Sequence, residues 1–409
     1  GRVYWLSEKN LAKNILTTGS ITNHNLTISG GTDKIRYRVS GSLSRENGPL
    51  VTDKDMFRRK TISGFVSADL QKWFTQEATL TYTNSVRQSP ENVGNMSGFY
   101  STRLINYYPE GLIPGDILGI SDDLPSQTPL NMLTNAPSAF SEQSVPRISL
   151  RSIFKLLPGW TVTGEYTYNR TDEHYQFYSN RFRFADVQLA AKYSTEKGQD
   201  FYRMYDATTK YNALNIFTNY DHSWGAHSFK AMAGFNQEKS FYRYFYGNVL
   251  AQAVPTVPSF AGGTGEKTID DKYSEYSIRS GFARLNYSFM DRYLLELNGR
   301  YDGSSKFPKS HRFGFFPSLA IGWLMSEEPW MQKYHKTFNK IKFRASVGKA
   351  GDDNIGGRRF AYLTTMNTNA EGYVWGTTGQ SSYTGITEGD IGVSNLTWET
   401  VKKYNVGFE

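Results

Sequence analysis

The stretch Gly262-Gly263-Thr264-Gly265-Glu266-Lys267-Thr268 contains the glycines, lysine and threonine of a phosphate-cradling loop. Glu266 separates the last glycine from the lysine, and no strand–loop–helix pattern surrounds the stretch, so nucleotide chemistry is not expected. His222 and His227 stand across a turn at a spacing that suits neither a helical metal pair nor neighbouring same-face positions of one strand. They read as solvated turn residues. Asp352-Asp353-Asn354 offers consecutive oxygen donors at the start of a long loop and is a candidate calcium site. The acidic pairs Asp122-Asp123, Asp270-Asp271 and Glu327-Glu328 lack a partner that would make an acid/base couple. No catalytic constellation emerges, and neither an enzyme nor a cofactor is expected.

Binding chemistry is better supplied. Phe99, Tyr100, Tyr107 and Tyr108 lie in one long loop, and Tyr373, Trp375 and Tyr383 in another, with Arg358 and Arg359 nearby. Aromatic faces stack on sugars and apolar side chains, while guanidinium groups supply hydrogen bonds. These nine residues form the candidate substrate-binding set; their competing role is packing of the loops themselves.

The elements that would carry such loops are legible as alternation. From Ile35 the chain places Ile35, Tyr37, Val39, Gly41 and Leu43 on one face and Arg36, Arg38, Ser40, Ser42 and Ser44 on the other. Ile62, Val66, Ala68 and Leu70 continue the pattern, as do Ala78, Leu80 and Tyr82, then Trp160, Val162, Tyr166 and Tyr168, then Leu285, Tyr287, Tyr293, Leu295 and Leu297. Many runs reach about ten residues, the length a tilted strand needs to cross hydrocarbon, whereas soluble strands average about five or six. Short links at 31–33, 71–75, 157–159, 224–226 and 290–292 take turns with long ones at about 46–60, 88–146, 173–210, 242–274 and 350–396. Tight turns on one rim and long loops on the other are the pattern of an outer-membrane barrel. The predicted fold is all-β, an antiparallel transmembrane barrel segment of about thirteen strands. One helix is predicted, over 326–339, with Ser326 as cap and Trp330, Tyr334 and Phe338 at four-residue spacing.

Composition agrees. Only 38% of the 409 residues are hydrophobic, yet 15% are aromatic, with 28 Tyr and 26 Phe, which suits interfacial girdles around a wet interior better than a solid core. The mean hydropathy of −0.54 does not oppose this, because alternate strand residues of a barrel face water. No apolar run has the length of about 18 residues that a spanning helix requires. The chain has no cysteine, as suits an envelope protein. Its net charge of +8 is scattered along strands rather than clustered, so nucleic acid is not an expected partner. Luminal and rim cations are expected to meet solvent, carboxylates and outer-membrane lipid. The start at Gly1 in mid-pattern reads as that of a piece of a longer protein.

Separated blocks then carry a resemblance. Asn23-His24-Asn25-Leu26-Thr27-Ile28-Ser29-Gly30-Gly31-Thr32 is similar to a strand and turn of the SusC/RagA family of TonB-dependent outer-membrane transporters. Arg300-Tyr301-Asp302-Gly303-Ser304-Ser305-Lys306-Phe307 resembles a further block of that family. So do Arg312 to Ser318, Gly322-Trp323, Ser326-Glu327-Glu328, Lys342 to Gly348, Leu396 to Glu399 and Tyr404 to Gly407. The resemblance implies that residues 1–409 form part of a barrel of about 22 strands, with signal peptide, plug, first strands and last strands lying elsewhere. It implies TonB-dependent import of oligosaccharides or peptides in a Bacteroidetes-type outer membrane. The implied partners are a SusD-like surface lipoprotein acting as a lid and the TonB complex, reached through the N-terminal part, with a dimer of transporter–lid pairs. The alternative is a passive porin or a surface glycan-binding adhesin.

Overall fold

The computed structural model describes residues 15–90, 112–126, 129–135, 137–185, 190–193, 200–254, 257–334, 336–356, 360–375 and 381–409. In chain order the strands are β1 (Ser20–Gly31), β2 (Ile35–Asn47), β3 (Met56–Gln71), β4 (Phe74–Pro90), β5 (Leu112–Ile113), β6 (Leu124–Pro125), β7 (Ser138–Leu157), β8 (Trp160–Ser179), β9 (Arg183–Ala185) and β10 (Ala191–Tyr193). They continue as β11 (Phe201–Trp224), β12 (His227–Leu250), β13 (Lys267–Phe289), β14 (Tyr293–Ser304), β15 (Phe313–Leu324), β16 (Lys342–Asp352), β17 (Met366–Trp375), β18 (Ser381–Glu388) and β19 (Glu399–Phe408). Thirteen of them form one antiparallel sheet in the order β1-β2-β3-β4-β7-β8-β11-β12-β13-β14-β15-β16-β19. The pairs β5–β6, β9–β10 and β17–β18 are small ladders within the long connections.

The period of two predicted from the sequence becomes a continuous apolar stripe across the sheet. Tyr293, Leu295, Leu297 and Tyr301 of β14 stand opposite Trp323, Ile321, Leu319 and Phe315 of β15. The same face continues to Phe343, Ala345 and Val347 of β16, to Phe408, Val406 and Tyr404 of β19, and back to Phe289, Tyr287 and Leu285 of β13. At the far side, Tyr37, Val39 and Gly41 of β2 meet Val66, Gly64 and Ile62 of β3. These side chains are open, with Ile62 63% and Ile321 54% exposed, so the stripe needs an apolar solvent. From Phe313 to Trp323 the stripe measures about 33 Å along the strand, or about 25 Å after the usual tilt of about 40°, the height of a barrel's lipid belt. The opposite face is polar. Thr61 pairs with Thr83 at 3.2 Å and Ser63 with Thr81 at 3.3 Å, Arg284 donates to Asn298 at 2.6 Å, and Arg151 meets Glu77 at 3.8 Å.

The short links form one rim. At Met290-Asp291 both residues have positive φ, 52° and 54°, and Arg292 N–H closes the turn on Phe289 carbonyl at 3.1 Å, a type I′ geometry that matches strand twist. Aromatic side chains collect here. Trp73, Phe74 and Phe154 stack at 4.9 to 6.1 Å, and Trp323 stacks on Phe343 at 5.9 Å. His222 and His227, expected to be solvated turn residues, belong to this girdle instead. The hairpin turn brings both onto the face of Trp224, which stacks on His222 at 5.5 Å and on His227 at 5.3 Å, and His227 bonds Tyr287 hydroxyl at 2.7 Å.

The predicted helix over 326–339 is two 3-10 turns, Met325–Glu327 and Gln332–Tyr334. Glu328 precedes Pro329 and is extended, at φ −71° and ψ 142°, because the proline ring disfavours the helical region for the residue before it. The buried Glu328 carboxylate accepts from Tyr293 hydroxyl at 2.7 Å and Trp323 Nε1 at 3.0 Å, with Arg292 at 3.5 Å. These contacts, the Tyr293 bond foremost, hold its carboxyl below the usual glutamate range.

The loops are shorter than predicted because the strands are longer. β11 and β12 each run 24 residues and β13 runs 23, where about ten suffice to cross the belt. The surplus rises on the long-loop side.

Candidate functional site

Above the belt, the inward positions of β8, β11 and β12 carry a dense aromatic and charged lining. Tyr175 of β8, Tyr205 of β11 and Tyr246 of β12 fall in one register line, and Glu173 of β8, Ala207 of β11 and Tyr244 of β12 fall in the next inward one. Tyr205 hydroxyl donates to Glu173 Oε2 at 2.9 Å, and Gln143 Nε2 donates to Glu173 Oε1 at 2.9 Å. Tyr205 and Tyr244 rings lie 5.0 Å apart, Tyr244 stacks on Tyr246 at 6.4 Å, and the Arg203 guanidinium sits 4.9 Å from Phe201 and 5.9 Å from Tyr246. Among the described residues, buried Arg203 Nε meets no hydrogen-bond partner. Higher still, Ala139, Phe177 and Phe201 are buried together and close the strand tips with a small core.

A cavity of about 590 Å³ adjoins this lining, between Tyr242, Lys272 and Ser274 on the wall and Phe360, Leu363, Thr365, Asp390 and Val393 of the connection from β16 to β19. Aromatic faces, a lysine and a carboxylate around a space of that size suit a sugar unit or an amino-acid side chain.

Of the predicted substrate residues, Phe99, Tyr100, Tyr107, Tyr108, Arg358 and Arg359 lie outside the described residues. The backbones of Tyr373, Trp375 and Tyr383 lie in the β17–β18 ladder, with Tyr373 directly opposite Tyr383; their side chains lie outside the described part. Asp353 is bound to the wall: its carboxylate accepts from Ser304 Oγ at 2.8 Å and pairs with Lys306 Nζ at 2.9 Å. Asp352 Oδ1 accepts from Asn354 N–H at 2.9 Å and Asn354 Oδ1 from Gly356 N–H at 3.1 Å. These oxygens of the predicted calcium set thus already have donors, and among the described residues no three His, Asp or Glu side chains come together as a metal site. In the glycine-rich stretch, Thr264 and Gly265 N–H groups are donated to Ala251 and Leu250 carbonyls, leaving those two donors unavailable to phosphate.

The sequence reading missed the luminal tyrosines. Their signal is Phe241-Tyr242-Arg243-Tyr244-Phe245-Tyr246, aromatic at nearly every position and free of turn residues. Above the lipid both faces of a strand accept such residues, so alternation stops marking the strand.

Five of the family-like blocks build two clusters. Gly322-Trp323 and Ser326 to Glu328 meet at the Glu328 cluster. Arg300 to Phe307, Arg312 to Ser318 and Leu396 to Glu399 meet at the mouth: Phe307 is fully buried, Trp398 lies 5.5 Å from Phe307 and 5.2 Å from Phe316, and Trp398 Nε1 donates to Arg312 carbonyl at 2.9 Å.

A lipid-high apolar stripe, a polar inner face, tight turns on one rim and an aromatic lining at the other define the wall of an outer-membrane β-barrel. Residues 75–409 match the family model "TonB dependent receptor-like, beta-barrel", and the chain belongs to that family. Among curated proteins it is 27% identical to TonB-dependent receptor SusC of Bacteroides thetaiotaomicron, over 97% of this chain and 40% of that protein. It is 25% identical to TonB-dependent receptor P3 of Formosa agariphila, over 97% of this chain and 38% of that protein. The fold is also that of the solved RagAB peptide transporter, at a TM-score of 0.75 and 16% identity, covering 98% of this chain and 43% of that one. The chain thus spans about two fifths of the length of these relatives.

Proposed function

We propose that the chain is, over its whole length, barrel wall of a transporter that imports oligosaccharides or peptides across the outer membrane, driven through TonB. The observation that carries this reading is the luminal lining of Tyr205, Tyr244, Tyr246, Arg203 and Glu173 above the lipid belt, in a chain of the TonB-dependent receptor family. A passive pore needs a clear polar channel; a stacking surface at the entrance favours capture before passage. The kinship with SusC suggests a SusD-like lipoprotein seated over this mouth, and a dimer of such pairs as the working assembly.

Uptake of a labelled oligosaccharide or peptide pool by cells carrying the full-length gene tests the proposal. Uptake is expected to cease when TonB is deleted, and Tyr205→Ala is expected to lower it about five- to tenfold through lost stacking without loss of folded barrel. Uptake that persists without TonB would favour the passive porin instead.

A further inference from the structure

Immediately above the lipid belt, the outward face of β2 and β3 carries Arg45, Arg58 and Lys60. Arg45 stands directly opposite Arg58, and Lys60 directly opposite Leu43, the last apolar residue of β2. All three are exposed. Like charges in direct cross-strand register repel, and among the described residues none of the three forms an ion pair. Arg45 only reaches Asn47 Oδ1, at 3.3 Å. Elsewhere on the outward face cations are matched: Arg170 is paired with Asp172 at 2.7 Å and Lys239 with Glu275 at 3.2 Å. Glu142, the outward carboxylate on the near side, is bonded to Asn84 at 2.7 Å.

Below the three cations the wall is hollow. Among the described residues, no atom beyond Gly41 and its two chain neighbours lies within 4 Å of where a Cβ on Gly41 would sit. The groove there, of about 580 Å³, is edged by Leu26, Leu43 and Ile62 and topped by Lys60 and His24. We infer that this site holds one lipid of the outer leaflet whose headgroup carries phosphate, its acyl chain against Gly41 and its phosphate between Arg45, Arg58 and Lys60. The unmatched positive charge demands an anion at headgroup height, and an apolar groove continuous with it selects a lipid over a free ion.

The test uses the full-length protein, purified in detergent and stripped of lipid, titrated with diphosphorylated lipid A, with the same lipid after phosphatase treatment, and with inorganic phosphate. The phosphorylated lipid is expected to bind, and Arg45→Ser/Arg58→Ser/Lys60→Ser to weaken it roughly a hundredfold, about fivefold per cation removed. The dephosphorylated lipid is expected to bind the unsubstituted protein as weakly as the phosphorylated lipid binds that variant. Gly41→Leu fills the groove alone and should weaken lipid binding too, which keeps the test open if the triple variant does not fold. Equal affinity for both lipids, unchanged affinity in the variants, or inorganic phosphate binding as tightly as the lipid would overturn the assignment.

Discussion

Two residues show how much of this wall rests on single side chains. Phe307 fills the mouth-side knot against Trp398 with none of its surface exposed. Phe307→Ala should cost about 3 to 5 kcal/mol, read as a lower temperature for loss of the compact, SDS-resistant band of the full-length protein. At the other rim, Glu328 accepts from Tyr293 and Trp323 beside Arg292, and its carboxyl is held below the ordinary range. A carboxyl with a lowered folded-state pKa stabilises above its unfolded value and loses that contribution as pH falls through the folded one. Glu328→Gln should therefore lower the unfolding temperature at neutral pH, and the gap between the two proteins should close only in acid, below the usual glutamate range. A gap independent of pH would mean that the carboxylate charge does no work there. The resemblance blocks marked both clusters in the sequence, but their function as knots was not readable, because Trp398 and Phe307 are far apart in the chain.

At the scale of the strand, register assigns each side chain to lipid or to water. Leu297 and Asn298 are adjacent, yet Leu297 meets Leu319 on the belt while Asn298 meets Ser318 and Arg284 inside. Leu297→Arg should destabilise the folded barrel by about 2 to 4 kcal/mol, the cost of a cation at the bilayer midplane, and Asn298→Arg should fall within about 1 kcal/mol of the parent. Folding into vesicles from urea would give both values, and similar losses would break the register. This part was legible in the sequence because Ile35 to Leu43 or Tyr293 to Leu297 must satisfy two solvents at once. The strand ends were not. Once β11, β12 and β13 rise past the belt, stretches such as Phe241 to Tyr246 place aromatics on both faces, and the predicted loops swallowed residues that belong to strands. The predicted helix failed for a local reason, since Glu328 is held extended ahead of Pro329.

At the scale of the whole molecule, thirteen strands form one wall with lipid outside and a polar lumen inside, raised above the membrane to present the tyrosine lining. The chain has no cysteine, so single cysteines can report the two faces directly in a cysteine-free version of the full-length transporter. The decisive measurement is labelling, in intact outer membranes, of cysteines at the neighbouring positions Leu295, Glu296, Leu297 and Asn298, and at Ile321 and Ser318, with a water-soluble maleimide and with a reagent dissolved in the lipid. Strict alternation is expected: Leu295, Leu297 and Ile321 react only from lipid, while Glu296, Asn298 and Ser318 react only from water. Uniform labelling of all six positions by the water-soluble reagent would contradict it.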